Sequence, residues 1–182
     1  MTLSRTYSVI VFVIAMVLHP LILSAAPADS LKTDAQQALE QLYDSSPDAA
    51  QMGKDAKAVL VFPKVVKVGF MLGGSHGEGV LFKNGEAVSY WSTSAGSWGL
   101  QAGVQSYGYA MFLMNDKAVD HLERSHGWEL GVGPSIVVID QGRAQRISSA
   151  TVNRDAYAVI FAQRGLMAGL GVEGSKISLL DK

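Results

Sequence analysis

The chain has 182 residues, with 15 Lys and Arg against 16 Asp and Glu and a formal charge of -1, so no global basic field marks it for nucleic acid. It has no cysteine, which excludes disulfides, thiolate catalysis, cysteine-ligated zinc and an acylated cysteine anchor. The length suits one domain with a sizeable core, and the 19 glycines are a high count for that length.

Residues 1–28 read as a secretory signal. Arg5 supplies the positive start, Val9 to Leu18 is a short apolar run, and Ala26 and Ala28 fit a small-residue cleavage site before Asp29. The apolar run is shorter than the roughly 20 residues a membrane span needs, and Pro20 breaks the helical path just beyond it. The expectation is a periplasmic or secreted protein whose single domain covers 29–182.

Ser30 to Asp44 repeats Leu31, Ala35, Ala38, Leu39 and Leu42 at helical spacing, with Asp29 or Ser30 available as cap. Ser46-Pro47 starts a second short helix to about Lys54, serine at the cap and proline in the first turn. Ala58 to Phe62 reads as a short buried strand stopped by Pro63. Lys64 to Lys67 is then a turn of helix or an irregular crossing.

From Gly69 onward the pattern is β. Gly79 to Lys83 and Glu86 to Thr93 flank Asn84-Gly85, a hairpin signal because a type I′ turn needs positive φ at both central residues. Gly99 to Met114 is a strand pair or one long bent strand. Asn115 caps a helix to about Ser125, and Gly127 ends it. Strands come next at Trp128 to Val132, Ser135 to Asp140, Ala156 to Gln163, Gly165 to Val172 and Lys176 to Leu180, with turns at Gln141-Gly142 and Glu173-Gly174. The fold class is therefore α+β: an antiparallel, strongly curved, glycine-rich sheet with N-terminal helices and one inserted helix. Glycines two apart, at Gly77/Gly79, Gly131/Gly133 and Gly169/Gly171, would share a strand face and allow close packing.

Motifs for chemistry are weak. Ala95-Gly96-Ser97-Trp98-Gly99 loosely fits a nucleophile elbow, but a helix must follow the serine and the next residues read as β. Gly73 to Gly79 resembles a phosphate loop without its lysine-serine ending or its helix, so a bend in the sheet is the better reading. His76 and Glu78 would share a strand face, yet no second ligand pair accompanies them; His121 and His126 are not helix-face neighbours. Neither a metal nor another cofactor is expected. Tyr90, Trp91, Trp98, Tyr107 and Tyr109 fit a core better than a ligand groove. Lys54, Lys57, Lys64 and Lys67 form a local basic cluster beside the apolar Phe70 and Met71. These six are the candidate lipid-binding residues, set against the plainer reading of a solvated lysine face.

The ordered segments AVLVFP (58–63), KVGFMLGGSHGEGVL (67–81), GLQAGVQ (99–105), MFLMN (111–115) and RGLMAGLGVEGS (164–175) resemble the SYLF domain family, the yeast actin-binding-protein-related domain. The resemblance spans nearly all of the chain after its signal. It implies a lipid-binding module; eukaryotic members bind phosphoinositides and some bind actin. Two departures set limits. A signal and a polar amphipathic helix stand where eukaryotic members carry a lipid-contacting segment, and Ser92 to Gly96 lacks the proline expected after Trp-Ser. Phosphoinositide choice and actin binding are therefore not carried over. The expectation is an exported, non-catalytic protein of the cell envelope that binds anionic phospholipid or a membrane surface. The alternatives are a structural or adaptor protein with an envelope protein partner, and a serine hydrolase using Ser97.

Overall fold

The computed structural model describes residues 27–124, 127–129, 136–140 and 154–182. Residues 1–26, and with them nearly all of the signal reading, lie outside this set, as do the Gln141-Gly142 turn and the Gly131/Gly133 pair. The elements in order are α1 (Ala28–Ser45), α2 (Pro47–Asp55), β1 (Ala58–Lys83), β2 (Glu86–Leu113), α3 (Asp116–Arg124), β3 (Gly127–Glu129), β4 (Ile136–Asp140) and β5 (Ala156–Leu180). The fold is α+β with one five-stranded sheet in which β1, β2, β5 and β3 are successive antiparallel neighbours. The exception is β4, which pairs with β5 in parallel and lies off that path.

Local chemistry sets the helices. Ser46 Oγ accepts the Ala49 N–H at 3.3 Å with Pro47 in the first turn of α2, as the sequence predicts. Asn115 Oδ1 accepts the Ala118 N–H at 3.0 Å and starts α3. Helix α1 differs: it begins one residue before the expected caps. Pro27 is its cap, the Pro27 carbonyl accepts the Leu31 N–H, and Ser30 Oγ donates back to the same carbonyl. The β1–β2 turn has Asn84 at φ 51° and Gly85 at φ 80°, the type I′ signature, with Lys83 opposite Glu86.

The strands are the main correction. Pro63 does not end the first strand. It lies in an edge strand, where a missing N–H costs least, and a register shift between Phe62 and Val65 absorbs it. Lys64 to Lys67 is therefore strand, neither helix nor crossing. Likewise the expected strands after Ala156 are one strand, and Gly174, read as part of a turn, pairs with Gly96 inside it.

The sheet buries both faces at one end of the molecule. On one face Leu31, Ala35, Ala38 and Leu42 of α1 pack with Val59, Val61, Val80, Phe82, Ala110, Phe112 and Val159. On the other, Ala118, Val119 and Leu122 of α3 join Leu60, Phe62, Val65, Leu81, Trp91, Met111 and Leu113. Both clusters draw on both ends of β1. A Cβ on Gly79 would meet the Phe62 ring, and one on Gly77 would meet the Lys64 carbonyl at 2.8 Å. A straight strand would separate residues 62 and 79 by about 55 Å, at about 3.3 Å per residue. Their contact means that β1 doubles back, and the glycines permit the backbones to meet.

Candidate functional site

Because β1 doubles back, the β1–β2 turn returns to the helical end: Phe82, Asn84 and Gly85 line the same groove as Ala58 and Val59. The middles of the three long strands form the opposite end. There Val68 stands opposite Val104 and Val104 opposite Leu166; Phe70 pairs with Ala102 and Leu72 with Trp98. Residues 66, 68 and 70 share a face by strand alternation. It is the face that α1 covers further along the sheet, and no described helix reaches it here.

The result is a contiguous exposed apolar surface. Phe70 is 78 % exposed, Trp98 76 % and Leu166 88 %, with Val68, Met71, Leu72 and Val104 also open. Scattered apolar side chains are ordinary on a protein surface; a patch continuous across three strands marks an interaction site. Backbone geometry shapes it. Met71 adopts φ 62° at the register shift between Phe70 and Leu72, and Gly103 has φ 144° with no room for a side chain beside the Leu166 carbonyl.

Cations border the patch. Lys64 is exposed beside the first register shift, whereas Lys67, half-buried opposite Gln105, falls on the other face of β1 from Val66 and Val68 by the same alternation. Arg164 is exposed opposite Ser106, which itself faces Val66. Of the six residues the sequence singles out, the structure thus puts Phe70 in the patch, Met71 beside it at the register shift and Lys64 at its border, with Lys67 on the same stretch of strand but the other face. Lys54 and Lys57 stand apart, in the last turn of α2 and just after it, at the helical end. Sequence reasoning missed Leu72, Val104, Arg164 and Leu166. The alternation Val66, Val68, Phe70, Leu72 was readable, but alternation marks an apolar face without saying whether anything covers it.

The aromatic set divides between the two environments. Trp91 is buried, donating its indole N–H to Ser89 Oγ at 2.8 Å, whereas Trp98 points outward. Tyr109 packs against Phe62 with ring centres 5.8 Å apart; burial, with the nearby Tyr107 adding to it, pushes its phenol pKa well above the usual value. Ser97 is buried within β2, which continues to Leu113, so the helix a nucleophile elbow requires after the serine is not there. His76 Nδ1 lies 3.0 Å from Ser94 Oγ, and Glu78 accepts from Lys182 Nζ at 2.9 Å. Among the described residues no three His, Asp or Glu side chains gather as metal ligands, and no helix is long and apolar enough to cross a membrane.

The groove at the helical end is a concavity of about 530 Å³. Tyr43 forms part of its wall, its ring against Gly53, where a larger residue would collide with the hydroxyl. Burial raises the Tyr43 pKa, so the phenol stays protonated at neutral pH.

Comparison with known proteins places the domain. Residues 94–181 match the model of the family described as Ysc84, Las17-binding protein actin regulator. This is the SYLF domain that the sequence resembles, and the match takes in most of β2, α3 and all of β5, including Trp98, Val104, Arg164 and Leu166. No curated protein matches the chain.

Proposed function

We propose that this SYLF-domain protein is an exported, non-catalytic protein of the cell envelope that binds anionic phospholipid surfaces through the exposed middles of its long strands. The observation that carries the reading is the uncovered apolar face of Phe70, Leu72, Trp98, Val104 and Leu166, bordered by Lys64 and Arg164. Transfer of a large apolar side chain out of water is worth about 1.5–3 kcal/mol. Insertion of three or four supplies the drive, and the cations add attraction to acidic headgroups at about 1 kcal/mol each near the surface. An exposed tryptophan suits the boundary between acyl chains and headgroups. The signal-like N-terminus supports export.

The test is co-sedimentation of the folded chain with phosphatidylglycerol-containing vesicles and with neutral ones. Binding is expected to the anionic vesicles, to fall with salt, and to be lost in a Trp98→Ser/Leu166→Ser double variant. A folded wild type that binds no bacterial lipid vesicle overturns the proposal. A protein partner captured on the same face in its place would favour an adaptor role.

A further inference from the structure

We infer that the groove between the two N-terminal helices and the β1–β2 turn is a separate binding site for a single-chain anionic amphiphile: one acyl chain ending in a carboxylate or phosphate. It lies at the opposite end of the sheet from the apolar patch, and it stands whether or not that patch meets a membrane.

Three observations converge on this ligand. First, much of the lining is apolar: Leu39 and Tyr43 from α1, Ala56 just after α2, Val59 from the start of β1, and Phe82 from its end. The volume of about 530 Å³ lies inside the range of about 300–1,000 Å³ usual for small-ligand sites. Second, the groove carries uncompensated positive charge. Lys54 and Lys57 both line it, both are exposed, and neither side chain has a hydrogen bond or ion pair among the described residues. The neighbouring Asp55 is occupied instead by Gln51, which donates to its carboxylate at 3.1 and 3.2 Å. Third, Glu40 is the one acid among the lining residues, so the site retains a net positive charge of one. An apolar trough with two unmatched ammonium groups complements a chain with an anionic head, the head at the lysines and the chain along Leu39, Val59 and Phe82. A purely apolar occupant would gain nothing from the two lysines, and a free inorganic anion would leave the apolar walls wet.

Glycine also keeps the site open. At Gly85 nothing lies within 4 Å of where a side chain would start, and its φ of 80° keeps most other residues away from this rim.

The test titrates the purified chain with laurate and, separately, with lauroyl-lysophosphatidylglycerol, each below its micellar concentration, and with dodecanol as the uncharged control. Saturable binding of one molecule per chain is expected for at least one anionic probe, and which one binds separates a carboxylate from a phosphate head. Dodecanol should bind about tenfold or more weaker. Lys54→Glu/Lys57→Glu should weaken the anion about tenfold or more, on the scale of lost charge-assisted contacts. Glu40→Gln should tighten it, a gain that misfolding cannot mimic. Binding by neither anionic probe, equal binding of dodecanol, or unchanged affinity in the folded lysine variant overturns the inference. So does amphiphile binding that disappears with Trp98→Ser/Leu166→Ser, which would return the ligand to the other end of the sheet and leave the membrane reading standing. A wild type that binds the amphiphile but no vesicle would defeat that reading and leave this site intact.

Discussion

Gly79 lies directly against Phe62, seventeen positions earlier on the same strand. A Cβ on Gly79 would stand 2.5 Å from Phe62 Cδ1 and 2.6 Å from the Val61 carbonyl oxygen. Neither neighbour can yield cheaply, because Phe62 is fully buried and the carbonyl is backbone. Gly79→Ala is therefore expected to lower stability by about 1–3 kcal/mol, the usual penalty for overpacking. Gly96 is a matched control in the same sheet, with nothing within 4 Å of its would-be Cβ. Gly96→Ala should stay within about 0.5 kcal/mol of wild type. Urea unfolding of the two variants compares them; equal stabilities would mean that β1 does not double back as described.

Of the three tryptophans, Trp98 is the one on the exposed apolar face, and Trp128 pairs with Ile177 in β3. Trp98 is 76 % exposed, whereas Trp91 is already buried. Anionic vesicles should shift the tryptophan emission to the blue, and Trp98→Phe should remove most of that shift. A shift that survives the substitution would place the lipid contact elsewhere.

The approach to the membrane should depend on the bordering cations. Neutralisation of Lys64 and Arg164 to glutamine leaves the apolar patch intact, so residual binding should persist with a weaker salt dependence, since less screened attraction contributes. Vesicle binding across a salt series measures this. An unchanged salt slope would exclude both residues from the contact.

Asn115 has two tasks. Its Oδ1 caps α3, and its Nδ2 donates to Asp155 Oδ1 at 3.1 Å. Asn115→Ala should cost about 1 kcal/mol, a typical cap loss. Asn115→Asp keeps an acceptor for the helix but sets a second carboxylate against Asp155. It should be less stable than wild type at neutral pH, and the deficit should shrink as the pH falls toward the carboxylate range. Thermal melts from pH 4 to 7 follow it.

Alkali should unfold the protein through Tyr109. Burial, with Tyr107 contributing, raises the Tyr109 pKa above the unfolded value of about 10. The unfolded chain then releases this proton first, so the stability is fully present below pH 10 and is lost as pH rises from there toward the folded value. Denaturation midpoints between pH 9 and 12 should fall, and Tyr109→Phe should blunt the decline. An identical pH profile in that variant would assign the alkaline loss to other groups.

Short-range chemistry was legible in the residues themselves. Ser46-Pro47, Asn115 and Asn84-Gly85 each dictate a local geometry through their own hydroxyl, amide, ring or missing Cβ, and the two caps and the turn stand where the sequence predicts them. The SYLF resemblance was legible too, from motifs in order along the chain. Strand length was not. Pro63, Gly165 and Gly174 are stop signals in isolation, and only pairing with β2 carries the backbone through them. Nor could the lysines be sorted: Lys54 and Lys57 went to the helical end, and Lys64 and Lys67 toward the opposite end, because β1 runs on between Lys57 and Lys67 where a turn was expected. By itself the sequence determined the α+β class, the helices, the hairpin and an apolar face recurring every second residue. Only the tertiary structure decided that α1 covers one end of that face and leaves Phe70, Trp98 and Leu166 in water. Alternation fixes the side of a sheet on which a side chain lies, whereas burial depends on which distant element packs there.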